Sequence, residues 1–251
     1  MRSSSLLLLA ALAPAILHAQ EQESARDIVD RVDRLLRGNS SHGTVTMEIV
    51  TADWSRSLDL EIWSLGTKYA LVRVLSPRKD AGMATLKAGS DLWNYLPRVD
   101  RTIRLPPSLM SSAWMGSHFT NDDLVKETRL VEDYDISISY SGLRDGVDVW
   151  EFTLMPKPEA AVVWGKIEEQ VRKKDFMPVW GKYYDERGEL ARTMTFSDFK
   201  TMGGRLVPAV MTVVPADKPK EHTTVRYTSL EFNVPLQPSF FSLQRLQRTG
   251  R

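Results

Sequence analysis

The sequence predicts a mainly β protein. The expected form is one wide antiparallel sheet of about eleven strands that curls into a barrel or half-barrel, with an N-terminal amphipathic helix available to cover its apolar face. Three observations carry this. The apolar period changes from helical to two near Thr44 and stays there. Turn residues recur at intervals of about ten, as in Arg144-Asp145-Gly146, Asp185-Glu186-Arg187-Gly188 and Gly203-Gly204. Helical patterns are nearly missing between the runs, which argues against parallel βαβ units. A sheet this wide must curl, and alternation leaves it one apolar face for the helix to cover.

Met1–Ala19 comes first and reads as an address. One positive charge, Arg2, precedes the apolar run Leu6–Leu17 and a small residue, Ala19. That is the pattern of a cleavable secretory signal peptide. The run is shorter than the roughly 20 residues needed to span a bilayer. Residues 20–251 then form one domain, since no linker or repeat divides them.

Ser24 opens the helix. Ala25, Ile28, Val29, Val32, Leu35 and Leu36 form a stripe, with Asp27, Asp30, Arg31, Asp33 and Arg34 mostly opposite. Ser24 with Asp27 three residues on resembles a capping box, and Gly38 suits the stop. Val45, Met47 and Ile49 then alternate with polar neighbours, as do Leu58, Leu60 and Ile62. Further β-like runs are Tyr69–Leu75, Gly82–Lys87, Asp91–Leu96 and Arg101–Leu105. Beyond an interruption come Asp135–Ser141, Val147–Met155, Val162–Lys173, Val179–Asp185, Leu190–Phe199, Leu206–Val214 and Thr223–Phe232.

Composition narrows the function. The 251 residues contain 33 Lys+Arg, 32 Asp+Glu and no cysteine. Charge balance disfavours a general nucleic-acid binder. Without cysteine there are no disulfides, thiolate metal sites or Cys-borne lipid anchors. Loss of Arg2 with the leader leaves basic and acidic residues equal at 32 each. His42, His118 and His222 form no metal-ligand spacing, and no Walker loop, Gly-x-Ser-x-Gly elbow or dinucleotide fingerprint occurs. The cluster Glu132, Asp133 and Asp135 lacks calcium-loop spacing. No catalytic residue, metal or cofactor is expected. Arg98, Arg101 and Arg104 recur at every third position and suit either anionic headgroups or solvent.

Pro106–Lys126 breaks the strand rhythm. A 21-residue stretch of this kind is uncommon inside a domain unless it serves as a lid or binding loop. Leu109, Met110, Trp114, Met115 and Phe119 need an apolar surface, and Thr120 or Asn121 can cap a short helix running through Leu124. The segment is either a loop stapled on the core or a flap over a cavity, its methionines adaptable to a variable apolar ligand.

Trp114-Met115-Gly116-Ser117-His118-Phe119-Thr120-Asn121-Asp122-Asp123-Leu124 resembles a segment of a longer subgroup of the LolA-like outer-membrane lipoprotein-sorting proteins of Gram-negative bacteria. Asp175-Phe176-Met177-Pro178 with Tyr183-Tyr184-Asp185 is similar in style, as is Thr195-Phe196-Ser197-Asp198-Phe199-Lys200 with Gly204-Arg205-Leu206-Val207-Pro208. Phe232-Asn233-Val234 before Phe240-Phe241 also fits. His118 stands where that family would carry an acidic residue. The resemblance implies a single strongly curved antiparallel sheet, a half-open barrel, whose concave face holds an apolar cavity under the N-terminal helix and a short helical flap. It also implies carriage of acyl chains across the periplasm.

On that reading the cavity is lined by inward-parity residues. These are Ile49, Leu60, Val72, Trp93, Tyr95 and Ile103 from the first half of the sheet. The second half supplies Ile138, Trp150, Phe152, Phe196 and Met211. The lid comprises Ile28, Val32 and Leu35 of the helix with Leu109, Met110, Trp114, Met115 and Phe119 of the flap. The ligand would be the acyl chains of a lipoprotein or lipid. Lacking a nucleotide site, the protein would work as a monomer with an inner-membrane transporter or exporter and an outer-membrane acceptor. A lipoprotein-sensing or exporter-accessory binding protein and a hydrolase with an unrecognised site remain as alternatives.

Overall fold

Helical periodicity persists for thirteen residues and then gives way to alternation. In the computed structural model, which describes residues 23–126 and 130–248, α1 spans Ala25–Arg37. The leader, Met1–Ala19, lies outside the described residues. The Ser24 hydroxyl accepts from the Asp27 amide at 3.2 Å, and Gly38 ends the helix with φ +69°, a left-handed turn a side chain would resist. Ile28, Val29 and Val32 are buried, with Ala25 and Leu36 packed beside them.

Alternation then builds thirteen strands among the described residues, rather than about eleven. They are β1 (Ser40–Val50), β2 (Ser55–Leu65), β3 (Tyr69–Ser76), β4 (Ala84–Ala88), β5 (Asp91–Leu96) and β6 (Arg101–Arg104), then β7 (Tyr134–Arg144) and β8 (Val147–Pro156). The series continues with β9 (Lys166–Arg172), β10 (Pro178–Tyr184), β11 (Leu190–Met202), β12 (Arg205–Pro215) and β13 (His222–Phe232). Each apolar run of the sequence falls on a strand, although the run at Val162–Lys173 begins four residues before β9.

All pairs are antiparallel neighbours in one sheet. Its order is β6-β5-β4-β3-β2-β1-β13-β12-β11-β10-β9-β8-β7. Two meanders, β1 to β6 and β7 to β13, are thus joined where β1 pairs with β13. Hairpin chemistry matches: Asp145 and Gly146 have φ of +49° and +80°, as a two-residue turn demands. The sheet is unclosed, with β6 and β7 as its edges.

That topology dictates the course of the interruption. A chain leaving β6 must reach β7 at the far edge, and since Trp114 and Phe119 join one buried cluster with α1, the crossing runs over the face that α1 covers. The crossing contains short turns at Pro107–Leu109 and Trp114–Gly116, then α2 (Asn121–Lys126) and α3 (Leu130–Asp133). Thr120 caps α2: its hydroxyl accepts from the Asp123 amide at 3.2 Å while the Asp123 carboxylate accepts from the Thr120 amide at 2.6 Å.

The main core lies on the concave face. It joins α1 and the crossing segment to Val45, Met47, Ile49, Leu58, Leu60, Phe152, Leu154, Ile167, Met194 and Val213. A second cluster lies on the opposite face of the first meander. There Trp63, Leu71, Leu86 and Tyr95 pack under Phe241 and Leu246 of the C-terminal segment, which carries α4 (Leu243–Leu246).

Candidate functional site

The concave face is a set of rows, because paired residues of antiparallel strands point the same way. One row runs Ile62, Val72, Thr85, Asn94, Ile103 across β2 to β6. Another runs Ile138, Phe152, Glu169, Gly181, Met194, Val213 across β7 to β12. Most of this surface is apolar. The few polar groups on it are largely committed to the crossing segment, or flap.

The flap touches the strands in spatial order. Trp114 Nε1 donates to the Thr85 hydroxyl on β4 at 3.0 Å. The His118 amide donates to the Thr223 hydroxyl on β13 at 3.0 Å, and the His118 ring lies 2.8 Å from the same oxygen and 3.4 Å from Glu221. Arg192 on β11 makes a two-pronged pair with Asp123, both contacts at 2.6 Å, and also donates to the His118 carbonyl. Its guanidinium lies over the rings of Trp164 and Tyr183. Arg192 and Asp123 are nearly fully buried, so this is an ion pair shielded from water. Beside it Tyr134 donates to the Trp164 carbonyl; burial, reinforced by Asp122, Asp133 and Asp123, pushes its phenol well above the usual range and keeps it neutral.

α1 covers the same face by other means. Its stripe is apolar, and its polar contacts are peripheral: Arg205 reaches the Arg34 and Leu35 carbonyls at 3.5 Å, and Arg31 lies 3.8 Å over Phe176.

The structure brings most of the predicted lining together. Ile49, Leu60, Val72 and Phe152 are buried in the concave cluster, with Ile138, Trp150, Phe196 and Met211 packed against it. Ile28, Val32, Trp114, Met115 and Phe119 lie in the same cluster as covers. Others fall elsewhere. Trp93 and Tyr95 belong to the opposite face, because Trp93 pairs with Leu86 and Tyr95 with Ala84, both outward; the tight turn at Gly89 sets a parity that β5 alone does not reveal. Ile103 has inward parity but sits 44% exposed on edge strand β6. Leu35 is only half-buried beside the stripe, and Leu109 is exposed. Met110 packs on a separate small cluster with Leu92 and Leu105.

Sequence reasoning missed the polar members Thr85, Asp123, Glu169, Arg192 and Thr223. A usable clue existed for two of them. Arg192 shares strand parity with Met194 and Phe196, and Glu169 lies between Ile167 and Val171, so each places a charge on an inward position. The three arginines singled out do not act together: Arg104 pairs with Asp91, whereas Arg98 and Arg101 are exposed.

Outside the flap, a cleft of about 1010 Å³ separates it from the β8–β9 and β10–β11 connections. Leu105, Pro106, Met110 and Val162 supply apolar walls, and Asp91, Arg104, Asp122 and Glu186 supply charge. Among the described residues no cluster has metal-ligand composition, and no helix is long and apolar enough to cross a membrane.

A family model described as an uncharacterized protein matches residues 66–248. Three solved structures are similar throughout. A domain assigned to outer-membrane lipoprotein sorting from Vibrio parahaemolyticus has a TM-score of 0.80 at 23% identity, covering 89% of this chain and 98% of its own. A DUF1329 family protein from Desulfovibrio piger has a TM-score of 0.81 at 22% identity, with coverages of 89% and 98%. A LolA superfamily protein from Nitrosomonas europaea has a TM-score of 0.76 at 21% identity, with coverages of 88% and 99%. No curated protein matches the chain.

Proposed function

Because the chain belongs to the uncharacterized-protein family matching residues 66–248 and has the LolA-like fold, we propose that it is a non-catalytic periplasmic carrier of acyl chains. The observation that carries the reading is the nature of the concave face. It is broad and apolar, yet α1 and the flap cover it instead of a second sheet. Transferring acyl chain from water gains about 0.8 kcal/mol per CH₂, so one long chain represents roughly 10 kcal/mol. Displaced covers forfeit part of that gain, and the apolar stripe of α1 is the part an acyl chain replaces like for like.

The carrier takes its cargo from an inner-membrane transporter or exporter and passes it to an outer-membrane acceptor. Energy comes from that partner, since the sequence holds no nucleotide-binding loop. The test is native mass spectrometry with lipid extraction of protein purified from the periplasm. Co-purifying acyl species are expected. Persistent absence of bound lipid from every expression host, together with failure to bind an added acyl probe, would sink the proposal.

A further inference from the structure

The second meander contains a carboxyl group that the cover does not use. Glu169 points from β9 onto the concave face, flanked along its strand by Ile167 and Val171 and across the sheet by Phe152 and Gly181. Ile138 and Met194 extend the same row. Position 181 has no side chain, so the carboxyl meets no group of its own size there. It has no hydrogen-bond or ion-pair partner among the described residues, although part of its surface remains accessible. An unpaired carboxyl in an apolar wall costs stability, a cost that a ligand hydrogen-bonding to it would offset.

The charged groups around it are already engaged. Arg192, of like parity on β11, is held by Asp123. Asp148, of like parity on β8, pairs with Lys173, and Tyr183 on β10 lies under Arg192. On α1, Arg31 pairs with Glu23, and Asp33 pairs with Arg37. Lys166, Glu168, Gln170 and Lys182 have the opposite parity and face outward. Burial with no counter-charge pushes the Glu169 carboxyl up to about 7, so it is a neutral acid in mildly acidic solution and a carboxylate in alkaline solution.

We propose that Glu169 is the polar anchor of the carrier: its neutral carboxyl donates a hydrogen bond to the ester carbonyl of an acyl glycerol group whose chain lies along the apolar row. The proposal rests on the acyl-carrier reading. A carbonyl fits better than an amine. One O–H satisfies one carbonyl, whereas a buried ammonium brings a second ion to desolvate and three donors onto a face with few free acceptors. The sign follows. Ionisation removes the donor and adds a desolvated charge, so affinity is high below the carboxyl's pKa and lost as pH rises through it.

The experiment measures binding of a short-chain monoacylglycerol, a diacylated lipopeptide and an alkylamine to the full mature chain, with a plain alkane as the control probe. Acyl ester affinity should fall about tenfold or more between roughly pH 5.5 and pH 8.5. Glu169→Gln, which keeps a donor at every pH, should bind the ester with no such drop. Glu169→Leu should bind it weakly at both. A drop seen with the lipopeptide points to a lipoprotein source, and one confined to the monoacylglycerol to a free lipid. Native binding that ignores pH, a drop that survives in Glu169→Gln, or an alkylamine preferred over the ester at the higher pH would each overturn the anchor. Alkane binding that persists in that case leaves the carrier reading standing; failure of every probe removes both.

Discussion

α1 and the flap cover one apolar face, but different physics holds them there. The flap is pinned by directional, buried polar contacts: Trp114 to Thr85, His118 to Thr223 and Asp123 to Arg192. α1 is held chiefly by Ile28, Val29 and Val32, with polar contacts at its margins. Opening the flap strands a buried charge, whereas lifting α1 exposes mainly hydrocarbon. An acyl chain can compensate the second loss and not the first. The difference makes α1 the movable cover and the flap the fixed wall.

The strongest way to break this contrast is Arg192→Met. It leaves the Asp123 carboxylate buried without its partner, and such losses cost about 3–5 kcal/mol. A large fall in the urea midpoint is expected. Arg192→Met/Asp123→Asn removes the orphaned charge while keeping an acceptor for the Thr120 amide, and should recover at least half of the loss. If the double variant is no more stable than the single one, the ion pair is not what fixes the flap.

Ile28→Ala tests the other cover. Ile28 is 1% exposed, and trimming a buried isoleucine to alanine costs about 2–5 kcal/mol. Here the loss should come with easier entry of an apolar fluorescent probe, since α1 is held chiefly by buried area. Arg192→Met, judged at equal distance from its own unfolding midpoint, should not share that gain. Equal probe entry in both variants would erase the distinction between movable and fixed cover.

The two covers also differed in how legible they were. α1 could be read complete, because Ser24, the apolar stripe and Gly38 are local and lie within fifteen residues. The strands were likewise legible as local runs, thirteen in the sheet against about eleven expected. The flap could be located through Pro106-Pro107 and its exposed-looking Trp114, but not its anchoring. Its partners Thr85, Arg192 and Thr223 come from three distant strands, and only the order of strands in the sheet brings them under one segment. Trp93 and Tyr95 show a related gap. Alternation says that two residues share a face, while which face depends on the turns between strands. Those turns sent β5's aromatics outward, where Phe241 and Leu246 had to be supplied from the chain's end to cover that side.

The smallest expected effect sharpens the contrast from the local side. Ser24→Ala removes the hydroxyl that accepts from the Asp27 amide, and with it the Ser24 hydroxyl's 2.6 Å contact to the Asp27 carboxylate. Such a cap is worth about 1 kcal/mol, and its loss frays the first turn without touching the apolar stripe. If α1 moves as a unit on its hydrophobic face, amide exchange should quicken at the helix start while the Trp114 and His118 amides of the flap stay protected. Exchange that rises together in both segments would mean that α1 and the flap open as one body. In that case the buried Arg192–Asp123 pair, and not the apolar stripe, would set the free energy of access to the concave face.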